Sequence, residues 1–117
     1  MPRPSHKFQR GDVVLVPFPY ADLTTTKQRP AVVISGATYH QTEPDIILAA
    51  ITGQIPQHPA PTDYPLQDWQ QAGLLMPSLV KSFLVTIEPA LVRHQLGRLT
   101  ARDLREVKKR LRLALEI

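Results

Sequence analysis

Among the side chains able to bind a phosphate, Arg29 and Thr52 stand out by their place in the sequence. Arg29 stands where a polar loop enters an apolar strand, and Pro30 restricts its backbone to extended conformations. A guanidinium stays protonated at any ordinary pH and grips a phosphate through two parallel hydrogen bonds. Phosphoryl-transfer transition states gather charge on oxygens, and fixed donors aimed there are a large catalytic term. Thr52 ends the run Leu48-Ala49-Ala50-Ile51 and precedes Gly53, so its hydroxyl sits where a ligand can approach closely. Read alone, each residue has a plainer explanation. Arg29 suits an ion pair at the rim of a barrel, and Thr52 suits a residue that merely favours β structure.

Other chemistries find little support. His6, His40, His58 and His94 are scattered without zinc-ligand spacing, so no metal site is expected. Cysteine is absent, which removes thiolate nucleophiles, thiolate metal ligands and disulfides together. No glycine-rich phosphate loop or nucleophile elbow appears, and the acids are too dispersed to suggest a two-metal carboxylate centre. An enzyme made from this chain is expected to work without a metal or other cofactor. The first nine residues hold no apolar run, and the longest apolar stretch, 46–51, is far short of the roughly 20 residues that span a bilayer. The expectation is a cytoplasmic protein with no membrane segment.

These residues need a frame. With 117 residues and 43% hydrophobic content, the chain reads as one domain, 1–117, with 1–9 a flexible N-terminal segment. Val13-Val14-Leu15-Val16 suits a buried strand, and Pro17 and Pro19 end regular pairing. A polar loop of about 8 residues follows. Arg29-Pro30 then opens a second strand over Ala31-Val32-Val33-Ile34-Ser35, and Gly36 closes it. A third strand is expected over 46–52 and a fourth β-rich run over 79–88. The prolines in 53–65 indicate an irregular surface loop. One or two helical turns are expected over 66–71, with Gly73 as a left-handed stop.

The last element is the clearest helix. Thr100 is its N-cap, Asp103 offers a variant of the reciprocal capping pattern, and Leu99 with Leu104 forms a hydrophobic staple. Leu104, Val107, Leu111, Ala114 and Leu115 recur at helical spacing, and Glu106 with Arg110 makes an i,i+4 pair. From Arg93 onward there are eight Lys/Arg against three acids, whereas the preceding residues hold six bases and seven acids. That basic segment reads as a solvated helix face or as an attractor for a polyanion. Short strands, long polar loops and a terminal amphipathic helix predict a mainly β, α+β fold: a small, curled antiparallel barrel capped by the helix.

Several stretches resemble one known family. Gly11-Asp12-Val13-Val14-Leu15-Val16-Pro17-Phe18-Pro19-Tyr20, the threonine-rich loop, and Lys27-Gln28-Arg29-Pro30-Ala31-Val32-Val33-Ile34-Ser35 look like the N-terminal signature of PemK/MazF toxins. Ala49-Ala50-Ile51-Thr52-Gly53-Gln54-Ile55 is similar to the second block, and Asp68-Trp69-Gln70-Gln71-Ala72-Gly73-Leu74, Pro77-Ser78, Thr86-Ile87-Glu88 and Gly97-Arg98-Leu99 to the rest. The resemblance spans about 10–115. It implies an SH3-like antiparallel barrel, usually a homodimer, that cuts single-stranded RNA (mRNA) as the toxin of a pair restrained by a cognate antitoxin. The catalytic residues of the family fall on Arg29 and Thr52. RNA contacts are expected from Tyr20, Thr25, Lys27, Gln28 and Gln54, with the loop from Tyr20 to Gln28 acting as a gate. The implied reaction is attack of a 2′-hydroxyl on the adjacent phosphate. The alternative is a non-catalytic barrel that binds nucleic acid or a partner protein. Phe83-Leu84-Val85 departs from the family, where polar or basic residues are common.

Overall fold

Runs of β-branched and aliphatic residues with no polar alternation are the mark of strands buried on both faces, and that is how the chain uses them. The computed structural model describes residues 7–17 and 27–117. Its strands are β1 (Asp12–Pro17), β2 (Gln28–Val33), β3 (Ile46–Thr52), β4 (Tyr64–Pro65), β5 (Leu79–Ile87) and β6 (His94–Arg98). They form one curled antiparallel sheet in the order β4-β5-β3-β2-β1-β6. Helix α1 (Ala37–Thr42) links β2 to β3, a 3-10 turn (Pro89–Leu91) links β5 to β6, and α2 (Ala101–Leu115) follows β6. The mainly β, α+β architecture is the expected one.

Alternate residues of the central strands feed two apolar clusters. Val13, Val32, Ala49 and Ile51 pack with Leu66, Ala72, Leu74, Leu99 and the α2 residue Val107. Val14, Val16, Ala31, Val33, Leu48 and Ala50 form the other cluster with Ile46 and Ile87. Leu99 and Leu104 both join the first cluster, as a staple requires. The ends of the sheet, β4 and β6, are bridged by the chain that follows β4. A Cβ on Gly73 would lie 2.0 Å from the Leu96 carbonyl oxygen, and one on Gly97 would lie 2.5 Å from that of Ala72. Two glycines thus let two backbones cross in contact, and the sheet is drawn into a half-barrel.

Gly73 takes a φ of 85° and stops the preceding turn, as expected. That turn is a single one: the Ala72, Gly73 and Leu74 amides donate to the carbonyls of Asp68, Gln70 and Trp69, and no α-helix forms over 66–71. The Leu66 amide donates to the Ser78 carbonyl at 2.9 Å, which ties the start of this stretch to the chain just before β5.

Helix α2 starts at Thr100 as expected, with the Thr100 hydroxyl accepting from the Asp103 amide at 3.4 Å. The reciprocal half of the cap is absent. The fully buried Asp103 carboxylate instead accepts the Tyr64 hydroxyl at 2.6 Å, the Gln67 amide at 3.1 Å and the Asp68 amide at 2.8 Å. Arg102 forks onto Asp68 at 2.7 and 2.6 Å, and the Thr100 hydroxyl donates to Asp68 at 2.6 Å. Arg110 does not pair with Glu106, which contacts Lys109 at 3.1 Å. Its guanidinium donates to the Pro61 and Asp63 carbonyls and lies over the Tyr64 ring. Part of the basic segment therefore fastens 61–68 to α2, while Arg105, Lys108 and Arg112 stay exposed.

Four elements lay outside the sequence expectations: α1, β4, the 3-10 turn and β6. Helix α1 has no side-chain cap and is held by tertiary contact. His40 is buried with Nε2 at 2.6 Å from the Ser35 hydroxyl, which also accepts the Ile47 amide at 3.0 Å.

Removing the phenolic donor leaves the Asp103 carboxylate short of one partner. Tyr64→Phe is expected to cost about 1.5–3 kcal/mol, read as a lower urea midpoint at unchanged slope. The Arg102 guanidinium, then the Thr100 hydroxyl, lower the Asp68 carboxyl from 3.8 to about 2. A depressed carboxyl stabilises the fold above its unfolded value and loses that contribution as pH falls through its folded one. Thermal scans of Asp68→Asn should therefore show a flatter stability profile than wild type between about pH 4 and 2.

Candidate active site

Arg29 lies near the start of β2, opposite Val16 of β1. On its other side β2 pairs with β3 through Ala31 with Ala50, Val32 with Ala49 and Val33 with Leu48. Continued by two residues, that register sets Arg29 across from Thr52, the last residue of β3. Opposed residues of an antiparallel pair project to one face. The parity agrees: Arg29 alternates with Ala31 and Val33, Thr52 with Ala50 and Leu48, and these four side chains all belong to the same cluster. By that parity both side chains, each half-buried, face the side of the sheet that carries this cluster.

The hydroxyl is set by its own turn. The Gln54 amide donates to Thr52 Oγ1 at 3.1 Å, which occupies one lone pair and leaves the hydroxyl proton to donate elsewhere. On the far strand Thr52 pairs with Leu79, the first residue of β5. Exposed Lys27 and Gln28 lead into Arg29, and exposed Gln54 follows Thr52, so these three of the expected RNA contacts collect at the same end of the strands. Tyr20, Thr25 and most of the expected gate lie outside the described residues. Among the described residues no group of three or more histidines or acids is gathered to hold a metal ion.

An apolar groove of about 430 Å³ opens on the other face of these strand ends, lined by Leu15, Pro30, Gly53, Leu74, Met76 and Leu96 among others. It begins one residue past each of Arg29 and Thr52. Sequence reading missed Leu75 and Met76, which stand exposed at its lip; a short apolar pair before Pro77 carries no periodic signal. The departure at Phe83-Leu84-Val85 divides by role: Leu84 and Val85 pack against the two clusters, and Phe83 is exposed beside the register shift in β5. Helix α2 packs its apolar face on the cluster opposite that of Arg29, so its basic residues cover the other side of the sheet.

The pattern of the family described as PemK-like, MazF-like toxin of type II toxin-antitoxin system matches residues 9–115. The chain belongs to this family. No curated protein matches it. Among solved structures, a mycobacterial endoribonuclease in complex with its cognate antitoxin is 17% identical at a TM-score of 0.75, over 95% of this chain and 97% of that one. MazF from Deinococcus radiodurans is 21% identical at a TM-score of 0.73, over 97% and 100%. Mycobacterium tuberculosis toxin MazF-mt6 is 20% identical at a TM-score of 0.69, over 92% and 98%. The toxin described here shares their fold along almost its whole length.

Proposed function

We propose that this toxin is an endoribonuclease that cuts single-stranded RNA without a metal, with Arg29 and Thr52 at the scissile phosphate. The observation that carries this reading is the β2–β3 register, which turns both side chains to one face in a chain of this family. In the reaction the ribose 2′-oxygen bonds to phosphorus and loses its proton to water. The bond from phosphorus to the 5′-oxygen breaks, and that oxygen takes up a proton. The products are a 2′,3′-cyclic phosphate and a free 5′-hydroxyl. Arg29 stabilises the charge on the non-bridging oxygens, a role that suits a cationic guanidinium, which has no lone pair to accept a proton, better than general base does. Thr52 donates a hydrogen bond to the same phosphate.

Lys27, Gln28 and Gln54 then flank the RNA path, and Tyr20 and Thr25 complete the expected contacts. Work on mRNA belongs to the cytoplasm, and no helix among the described residues is long and apolar enough to cross a membrane. The relative from a mycobacterial species was solved with its cognate antitoxin, and the Deinococcus toxin as a MazE-MazF pair. By analogy this toxin pairs with an antitoxin and acts as a homodimer.

Purified protein should cut a labelled single-stranded RNA in excess EDTA and spare the same strand carrying a 2′-deoxyribose at the cut position. Arg29→Ala should lower the rate by about 10²–10³ with an unchanged circular dichroism spectrum. Thr52→Val should lower it by about 2- to 10-fold. Loss of activity with chelator overturns the metal-free chemistry, and binding without cutting identifies a non-catalytic RNA-binding barrel. Co-expression with the product of the neighbouring small open reading frame should relieve growth arrest; an arrest that persists rejects that partner.

A further inference from the structure

Gly53 separates Thr52 from Gln54 inside the turn that sets the catalytic hydroxyl, and its missing side chain is occupied. A Cβ built on Gly53 would fall 2.4 Å from Sδ and 3.1 Å from Cγ of Met76. The thioether therefore lies in a notch that only glycine leaves open. Met76 is itself fixed from behind: the buried Ser78 hydroxyl donates to its carbonyl at 2.9 Å, and Leu79, next along, pairs with Thr52 in the ladder. Three residues of chain thus close a loop from Thr52 across the strands to Leu79 and back over Gly53. Yet Met76 is 54% exposed, too open to be explained as a core residue.

We propose that Met76 is a positioning residue for Thr52, its thioether clamping the Thr52–Gln54 turn through the notch at Gly53. The proposal rests on Thr52 acting at the phosphate. It assigns the half-exposed methionine a purpose that burial does not supply. A long unbranched thioether fills an irregular gap well. A turn held on both sides keeps the hydroxyl aimed, and small misplacements of a reacting group are costly in rate.

The test is a double-mutant cycle. Gly53→Ala expels the far end of a flexible side chain, and Met76→Ala deletes it, so both remove one contact while the strands stay paired. Each should lower kcat by about 2- to 5-fold, no further than Thr52→Val does, with KM little changed, and Met76→Leu, of similar volume, should keep most of the activity. The double variant should be no slower than the slower single variant. Multiplying effects, or single variants as fast as wild type, overturn the clamp. A second readout does not require cleavage: amide hydrogen exchange at Gln54 should quicken in Gly53→Ala and Met76→Ala but not in Met76→Leu. Equal exchange in all four proteins refutes the inference. Wild-type protein that cuts no RNA refutes the proposed function instead, and the exchange pattern still decides the clamp.

Discussion

Slide β2 by one residue along β3 and Arg29 turns to the face away from Thr52. The register that prevents this is fixed by packing: Ala31 faces Ala50, Val32 faces Ala49, and every residue of this stretch is buried in one cluster or the other. A one-residue slip would exchange the two clusters wholesale, putting small side chains where large ones are needed. The positions of a cation and a hydroxyl at the surface are thus decided by alanines and valines that never meet a ligand.

The two faces of the sheet divide the labour. One carries α2 and the polar clamp at Asp103, Arg102 and Asp68, which anchors the long segment between β3 and β5. The other carries Arg29 and Thr52 at the ends of β2 and β3. Burial lifts the Tyr64 hydroxyl well above its usual pKa, and its hydrogen bond to Asp103 and the Asp103 charge add to the effect. That phenol remains a donor throughout the physiological range.

Much of this was legible in the residues. Strand β3 follows its apolar run residue for residue, β5 falls one residue short of the expected end, and α2 begins at the expected cap. These elements carry their own signal in hydrophobic runs or helical spacing. The parts that escaped carry none. Strand β6, with the sequence His-Gln-Leu-Gly-Arg, exists because β1 offers it a ladder, and β4 is only two residues long. Asp103 looked like half of a capping box because its long-range partners, Tyr64 and the amides of Gln67 and Asp68, lie some 35 to 39 residues away. Arg110 likewise has Glu106 one turn away in its own helix, yet its guanidinium donates to the Asp63 carbonyl, 47 residues distant. Arg29 and Thr52 could be nominated from chemistry and family likeness, but their shared face required the register.

The contact of Gly73 with Gly97 has a consequence for how other molecules can engage this toxin. An open sheet invites a foreign strand to extend its ladder, a route to both recognition and aggregation. Here the 72–73 backbone lies across β6, and β4 is too short to serve as a template. Along β6 a visitor must read side chains and shape, whereas most of the outer edge of β5, which pairs with β4 only at Leu79 and Val80, has no partner strand among the described residues.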